Sequence, residues 1–326
     1  MGPELEAARR GDHAAFARLI QPFRRELRAH CYRMAGALHD ADDLLQESLL
    51  RAWRGLAGFE GRAGLRTWLY SVTTHACLDQ LEKRSARSLP QAMGPAVLPH
   101  EVGQRLEDSA FLGPAPAAEL LSEDDAPEAQ VSQRESVALA FLLALQTLTP
   151  KQRAALILRD VVGMEASECA EVLGLTIPSI NGALLRAREV LAQRPPMPAP
   201  DPQRSAVLAR YVEAWERADT SALVALLRED ATLAMPPIPQ WLRGAREIGA
   251  SIEAMVFSLA GPGGFRLVPI EANSEPALAA YARDPSGVFR ATALHLVDVR
   301  DGQIAGLIAF LSPALFAKFG LADTLA

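Results

Sequence analysis

This chain of 326 residues contains few cysteines and has no net positive charge. Its three cysteines, Cys31, Cys77 and Cys169, lie far apart, and none belongs to a Cys-x-x-Cys pair. This spacing argues against a disulfide scaffold or a zinc ribbon and fits a reducing compartment. The net charge of -6 excludes a uniformly basic nucleic-acid binder, although the charge is unevenly spread along the chain.

Long hydrophobic runs are also lacking. The longest clean apolar run, residues 137–145, is far shorter than the roughly 20 residues that span a bilayer. The first ten residues are polar and lack the apolar centre of a signal peptide. We therefore expect a soluble, cytoplasmic protein, and because no metal-ligand or nucleophile constellation is present, we expect neither a metal nor a cofactor.

Proline, by contrast, is frequent and marks the joints between domains. Six prolines, eight acidic residues and one basic residue lie within residues 89–130, which predicts an acidic linker. Five prolines within residues 195–202 predict a stiff, extended spacer. The predicted order is a domain at 1–88, the linker at 89–130, a domain at 131–194, the spacer at 195–202 and a domain at 203–326.

The hydrophobic period changes along this order. Up to residue 193 apolar residues recur at helical spacing, whereas from residue 265 onward they follow strand patterns. Alternation over 291–299, the pair Asp301-Gly302 and the strand-like 304–311 predict a hairpin. The fold class is therefore multidomain, with two all-α domains followed by an α+β domain.

Residues 40–54 form an amphipathic helix in the first domain. The stripe of Ala41, Leu45 and Leu49 predicts its buried side, and Asp43, Gln46 and Glu47 fall on the other side. Those three polar residues fit either a solvated bundle face or a docking face for a partner protein.

A second helical stretch, residues 61–87, mixes basic, aromatic and hydrogen-bonding side chains. Such a mixture suits single-stranded DNA, because cations hold phosphates and small polar groups contact unstacked bases. Considered by itself, Trp68 is better explained by packing in the core. His75, considered by itself, is better explained as a surface histidine or one whose ring nitrogens are hydrogen-bonded within the protein. The candidate residues are Arg62, Arg66, Trp68, Tyr70, Thr74, His75, Lys83 and Arg84.

Residues 166–185 carry a helix-turn-helix pattern in the second domain. Ala170, Gly174 and Ile180 stand at its fifth, ninth and fifteenth positions, where helix contact, a tight turn and core burial are required. The alternative is an ordinary helical hairpin with a glycine turn. The second helix would enter the major groove, and the candidate base- and phosphate-contacting residues are Thr176, Ser179, Asn181, Arg186 and Arg188.

The stretches HDADDLLQESLLRAWR, FEGRAGLRTWLYSVTTHACLDQLEKR, LTPKQRAALILRDVVGMEASECAEVLG and SINGALLRARE together resemble an extracytoplasmic-function (ECF) sigma factor. The resemblance implies a region 2 helical domain and a region 4 helix-turn-helix domain, covering about 10–88 and 135–193. It implies core RNA polymerase as partner, with Asp43, Gln46 and Glu47 on the β′ clamp helices and further contact at the β flap. It also implies that residues 62–84 read the melted -10 element, that the helix-turn-helix reads the -35 element, and that the linker follows the RNA-exit side of polymerase.

The tail, residues 203–326, resembles the SnoaL-like, NTF2-like cone, in which helices and a curved sheet enclose a pocket. The carrying stretches are ARYVEAWERADTSALVALLREDATLAMPP, WLRGAREIGA and HLVDVRDGQIAGLIAF. The linker stretch FLGPAPAAELL resembles a WLxPYPDxLL-like element of sigma factors that carry such a tail. The candidate pocket residues are Trp241, Glu271, Tyr281 and His295, with plain packing as the alternative for each.

These expectations define a sigma factor that is not an enzyme and binds core polymerase and promoter DNA. Its tail would modulate activity, with a small molecule as candidate ligand. The alternatives are an isomerase-like tail fused to DNA-binding modules and a ligand-binding repressor.

Overall fold

The computed structural model describes residues 2–61, 64–83, 87–121, 134–192 and 201–325. These divide into two compact units. The helical unit comprises Met1–Arg87 with Ala117–Arg194, and the tail unit comprises Ser88–Pro116 with Pro195–Ala326. Helical domains followed by a sheet-containing domain confirm the predicted fold class. Within the described ranges, no helix combines the length and the apolar character needed to cross a membrane.

The helical unit is a bundle of short helices. Those with both ends described are α1 (Pro3–Arg9), α2 (His13–Ile20), α3 (Arg24–Ala35), α4 (Leu38–Gly55), α5 (Leu65–Leu81), α6 (Leu139–Gln146), α7 (Pro150–Leu156), α8 (Ala166–Leu173) and α9 (Ile177–Ala192). Gly36 ends α3 with φ of 79°, a backbone conformation that costs a residue without a Cβ little. The chain then reverses directly into α4.

The helix-turn-helix is formed by α8 and α9. Gly174 ends α8 with φ of 60°, and Thr176 caps α9 by accepting a hydrogen bond from the Ser179 amide at 3.3 Å. Ile180 is fully buried, as the pattern predicted, and so is Cys169. The burial of Cys169 also raises the pKa of its thiol to about 11, so this cysteine is a core residue.

Buried arginines connect the two sequence segments of the helical unit, Met1–Arg87 and Ala117–Arg194. Arg153 of α7 donates to the Met34 carbonyl oxygen of α3 and to the Leu145 carbonyl oxygen at 2.9 Å. Arg33 of α3 donates to the Ser136 hydroxyl. Buried cations are stable only when their N–H groups find acceptors, so these contacts fix how the two segments meet.

The tail unit contains one curved sheet with helices packed against it. Its strands run in the order β2 (Trp241–Arg243), β1 (Leu227–Ala234), β6 (Gln303–Phe310), β5 (Phe289–Arg300), β4 (Glu275–Arg283) and β3 (Phe265–Ala272), and β7 (Thr324–Leu325) pairs with β5. Its helices are α10 (Arg204–Glu216), α11 (Thr220–Leu226), α12 (Ala245–Ile252), α13 (Ser258–Ala260) and α14 (Ala314–Lys318). The pairing of β1 with β6 is parallel and the other pairings are antiparallel.

The predicted hairpin is present. Strands β5 and β6 pair down to Arg300 and Gln303, and the two residues between them are Asp301 and Gly302. Their φ values of 53° and 71° are those of a type I′ turn, which an Asp-Gly pair adopts readily and which matches the twist of the strands.

The Pro-rich residues 88–116, hereafter the strap, belong to the tail unit. The Val97 amide donates to the Trp241 carbonyl oxygen at 2.9 Å, and the Leu106 amide donates to the Pro237 carbonyl oxygen at 2.8 Å. Val97 and Val102 also pack on the hydrophobic core of the tail. The strap, which overlaps the predicted linker, is thus folded against the tail sheet.

Asn273 holds the far end of the strap. Its amide donates to the Ala115 carbonyl oxygen at 2.8 Å, and its side-chain Oδ1 accepts from the Ala115 amide at 3.2 Å. Asn273 is fully buried and has φ of 54°, a left-handed conformation that asparagine tolerates better than most residues. One residue therefore closes a two-hydrogen-bond clasp on the strap.

Candidate functional site

Helix α4 presents a polar face to solvent. Asp43, Gln46 and Glu47 are all exposed, whereas Ala41 and Leu45 of the same helix are buried. The Glu47 carboxylate accepts a hydrogen bond from Arg51 Nε at 2.7 Å, one turn along the helix. This spacing puts the three predicted partner-docking residues on one side, where a partner can reach them.

Leu50 adds an apolar group to that face and was not predicted. Its side chain is half exposed, because it lies one turn after Gln46 and Glu47 and therefore on the same face of the helix. Interfaces commonly place an apolar anchor among polar residues, because desolvating it supplies affinity. The sequence held a signal for it, since Leu50 lies outside the buried stripe of α4.

Helix α5 exposes only part of the predicted DNA-reading set. Arg66, His75 and Lys83 are exposed, and the His75 ring Nδ1 lies 2.9 Å from the Ser71 carbonyl oxygen. Arg62 and Arg84 lie outside the described residues. Three of the predicted groups therefore lie at the surface of the helical unit.

Tyr70 and Thr74 require a correction. Both are buried, and the Thr74 hydroxyl lies 3.0 Å from Nε2 of the buried His30. Burial, with a smaller effect from Glu26, also raises the pKa of Tyr70. Their polar atoms face the helix bundle, so in this arrangement they pack and hydrogen-bond instead of contacting bases. Trp68 is half-buried beside Phe59, which agrees with the core-packing alternative.

Glu26 of α3 is the partner that the sequence did not reveal. Its carboxylate accepts from Arg66 Nε at 2.9 Å and Nη2 at 2.7 Å, and from the Tyr70 hydroxyl at 3.2 Å. The Arg66 guanidinium also lies over the Tyr70 ring. The Glu26 carboxylate is thus paired with the Arg66 cation that a DNA phosphate would otherwise contact.

The recognition helix α9 carries its predicted residues on the outside. Thr176, Ser179, Asn181, Arg186 and Arg188 are all exposed. Arg188 forms a two-point ion pair with Asp160, at 3.0 and 2.6 Å. Exposed Ile177 and Leu185 were not predicted, and they add apolar surface of the kind that contacts thymine methyl groups.

Helices α5 and α8 are in contact within the helical unit. Thr67 Oγ1 donates to a Glu168 carboxylate oxygen at 3.3 Å, which links the -10 candidate helix to the first helix of the helix-turn-helix. The two candidate DNA-reading domains are therefore packed on each other, not spread along a promoter.

The tail unit encloses a cavity of about 310 Å³. It opens between the helices and the sheet and is lined mainly by aliphatic side chains, with Tyr211, Trp215, Thr292 and His295 as its polar members. A volume of this size is at the lower end of the range for small-molecule sites.

Only His295 of the predicted pocket residues lines this cavity. Trp241 instead donates from Nε1 to the Gly94 carbonyl oxygen at 2.8 Å and so holds the strap. Tyr281 is buried away from the cavity, and its hydroxyl donates to the Ala322 carbonyl oxygen at 3.0 Å. Glu271 is exposed on β3. The alternation of β-strand side chains explains these errors, because one face of each strand points away from the cavity.

The polar groups of the cavity are electrically neutral. The Tyr211 hydroxyl lies 3.0 Å from His295 Nδ1. Burial lowers the pKa of His295 to about 4 and raises that of Tyr211, so neither group is charged near pH 7. Among the described lining residues there is no carboxylate, and the neutral His295 imidazole is the group there that could accept a proton.

Three known domain families match this chain in order. Sigma-70 region 2 matches residues 19–87, Sigma-70, region 4 matches residues 138–191, and the SnoaL-like domain matches residues 208–307. The first two matches lie in the helical unit and the third lies in the tail unit.

Two curated proteins of Mycobacterium tuberculosis are similar over nearly the whole chain. The ECF RNA polymerase sigma factor SigG is 43% identical over 99% of this chain and 88% of its own length. The ECF RNA polymerase sigma factor SigJ is 29% identical over 91% of this chain and 92% of its own length. The crystal structure of SigJ superposes with a TM-score of 0.61 at 25% identity, covering 94% of this chain and 100% of that one.

Proposed function

Because this chain belongs to the extracytoplasmic-function sigma factors of RNA polymerase, we propose that it binds core polymerase in the cytoplasm and directs initiation at promoters that its two helical domains read. The observation that carries the proposal is the helix-turn-helix with an exposed recognition helix, in one chain with a region 2 docking helix. The relatives that match nearly the whole chain are initiation factors, which supports a role without catalytic turnover.

The α4 face is the proposed contact with the β′ clamp helices. Support comes from the common exposure of Asp43, Gln46 and Glu47 and from the apolar Leu50 among them. The helix-turn-helix domain is proposed to contact the β flap while α9 enters the major groove at the -35 element. Arg186 and Arg188 are its phosphate-contacting candidates, and Arg188 must exchange Asp160 for a phosphate.

The -10 element is proposed to meet exposed side chains of α5 and of the turn that follows it. Arg66 and His75 of the helix and Lys83 of the turn supply cations and hydrogen-bonding groups for a single strand. Arg66 must first leave the Glu26 carboxylate, and the contact between α5 and α8 must open. These contacts support a proposed resting state in which the two helical domains are in contact, and polymerase binding is proposed to separate them.

The tail unit is proposed to regulate this opening. Support comes from the strap, which follows region 2 in the chain and precedes region 4 yet folds onto the tail sheet. Any movement that separates the two helical domains acts on a segment that the tail holds. A small molecule in the tail cavity is the proposed effector.

The docking proposal is tested with a charge reversal on α4. Glu47→Arg should lower the affinity for core polymerase at least tenfold and lower promoter-specific transcription in parallel. The substitution replaces a carboxylate at the proposed interface with a cation, which would repel the positive groups that the carboxylate attracts. Glu213→Arg is the matched control, since Glu213 also pairs with an arginine one turn away on an exposed helix of the tail.

Core affinity should be measured by fluorescence anisotropy with labelled full-length protein, and initiation by run-off transcription from promoters selected from genomic fragments. Unchanged binding by Glu47→Arg would contradict the α4 assignment. Wild-type protein that binds core polymerase yet initiates nowhere would contradict the sigma function.

A further inference from the structure

Helix α9 has one side that packs within the helical unit and an opposite side that faces solvent. Its buried residues are Ile180, Ala183, Leu184 and Ala187. Because successive residues of an α-helix are rotated by about 100°, Leu185 falls almost opposite the buried side, and it is 61% exposed. The outer side of the second helix of a helix-turn-helix enters the major groove, so Leu185 is on the side that approaches base pairs.

Ile177, Asn181 and Leu185 form a row along this outer side, each one turn after the previous one. All three are exposed. Residues four apart on a helix lie above one another, and the first and last residues of this row are separated by roughly 12 Å along the helix axis. Successive base pairs are only about 3.4 Å apart, so Ile177 and Leu185 reach different base pairs.

The row carries one hydrogen-bonding side chain between two aliphatic ones. Asn181 is of the type that pairs with the N6 and N7 atoms of adenine, whereas isoleucine and leucine offer no hydrogen bond to a base edge. The apolar group that a major groove presents is the 5-methyl group of thymine. The two aliphatic side chains of the row therefore match thymine.

Positive charge lies beside the row. A Cβ at Gly182 would lie 3.4 Å from Nη1 of Arg186, so the Arg186 guanidinium rests over the glycine, and Arg188 is paired with Asp160 on the same helix surface. Cations next to aliphatic groups complement a DNA groove, because the groove is bordered by phosphates. The acidic Glu189 stands in the last turn of α9, whereas the base contacts of this motif come from the N-terminal part of the helix.

Exposed apolar side chains that stand singly are ordinary on protein surfaces, but a pair in one row beside arginines marks a contact surface. We propose that Ile177 and Leu185 contact the 5-methyl groups of two separate thymines in the -35 element and so contribute to promoter specificity. The inference rests on the proposed function, because α9 must enter the major groove of a promoter. It adds the atoms that these two side chains recognise.

Deoxyuridine tests the contact, because it lacks the 5-methyl group of thymidine and keeps the hydrogen-bonding groups. Promoters are first selected from genomic fragments with holoenzyme formed from the full-length protein and core polymerase. Each thymine of the -35 element, on either strand, is then replaced singly by deoxyuridine. Two of these replacements should each lower the affinity of the holoenzyme about three- to fourfold, as measured by fluorescence anisotropy on labelled duplexes.

Variants of the two side chains assign each effect. Leu185→Ala should abolish the effect of one replacement, and Ile177→Ala should abolish the effect of the other. Leu185→Met keeps an apolar side chain of similar volume and should retain both effects. Leu259→Ala, at an exposed leucine of the tail unit, is the matched control and should also retain both. Urea unfolding checks that the variants fold.

A methyl effect that persists in both alanine variants would assign it to DNA shape and overturn the inference. Weaker binding of Leu185→Ala to core polymerase without DNA, together with an unchanged methyl effect, would assign the row to a protein partner and contradict it as well. A selected -35 element without thymine on either strand is equally incompatible with it. Specific promoter binding without a methyl effect contradicts the inference alone, whereas holoenzyme that selects no promoter contradicts the proposed function too.

Discussion

The Ser136 hydroxyl accepts two hydrogen bonds from the Arg33 guanidinium, from Nε at 3.1 Å and from Nη2 at 2.7 Å. Both residues are buried, and they lie in different sequence segments of the helical unit, Met1–Arg87 and Ala117–Arg194. Burial lowers the pKa of Arg33 to about 10, which still leaves the guanidinium charged at neutral pH. A neutral hydroxyl thus shields a buried cation at the contact between the two DNA-reading domains.

Ser136→Ala should weaken this contact by about 1–3 kcal/mol, because the Arg33 cation loses an acceptor without regaining water. If the closed arrangement restrains initiation, the initial rate of run-off transcription at limiting core polymerase should rise several-fold. Ser167→Ala, at an exposed position of α8, is the control. A lower midpoint of urea unfolding without faster initiation would show that the contact stabilises the fold but does not restrain activity.

Glu26→Gln should strengthen binding of a single-stranded -10 oligonucleotide. The substitution frees Arg66 from its ion pair, and one added phosphate contact should raise affinity about fivefold and steepen the salt dependence by about 0.7 per added contact. The measurement is fluorescence anisotropy over a range of salt concentrations. Glu4→Gln, which breaks the exposed Glu4–Arg18 pair of the same domain, should leave both quantities unchanged.

Asn273→Gly should open the end of the strap. Glycine keeps the left-handed backbone at this position but removes the Oδ1 acceptor of the Ala115 amide, which should destabilise the clasp by about 1–2 kcal/mol. Hydrogen exchange at Ala115 should accelerate at least fivefold. Ser274→Gly, at the next residue with φ of 62°, is the control, and equal protection of Ala115 in both variants would contradict the clasp.

His295 should make the stability of the tail depend on pH. Its pKa in the folded protein, about 4, is below the ordinary value of 6.5, so between these values the unfolded chain binds a proton that the folded protein does not. The stabilising contribution is fully present above pH 6.5 and is lost as the pH falls toward 4, by about 3 kcal/mol in total.

His295→Gln should flatten the decline in unfolding free energy between pH 6.5 and 4, as measured by urea denaturation. Glutamine can still hydrogen-bond to Tyr211 but does not titrate. His100→Gln, at an exposed position of the strap, is the matched substitution. Identical pH profiles for His295→Gln and wild-type protein would exclude this histidine as the source.

Local pattern was sufficient for the helix-turn-helix and for the β5–β6 hairpin. Gly174 and the Asp301-Gly302 pair require positive φ, and each was recognisable from residue type alone. The exposed α4 face also followed from helical spacing. The errors at Tyr70 and Thr74 arose because α5 is covered on more than one side, so its polar residues at the edge of the apolar stripe are enclosed by α3.

The strap and the cavity depended on contacts between distant residues, which no local pattern encodes. Six prolines and the acidic charge predicted a linker, but they gave no sign that its backbone amides pair with Trp241 and Pro237. Likewise, Tyr211 and His295 meet only because α10 packs on β5, 84 residues further along the chain.

Region 4 is, in topological terms, an insertion within the tail. The strap leaves the tail unit at residue 116 and the chain returns at residue 195, so the tail domain is discontinuous in sequence. Cutting the chain after residue 194 would therefore remove the sheet but keep the strap, with Val97 and Val102 deprived of the core on which they pack. A chimera that grafts this tail onto another sigma factor keeps the contacts of the tail unit only if it carries both segments.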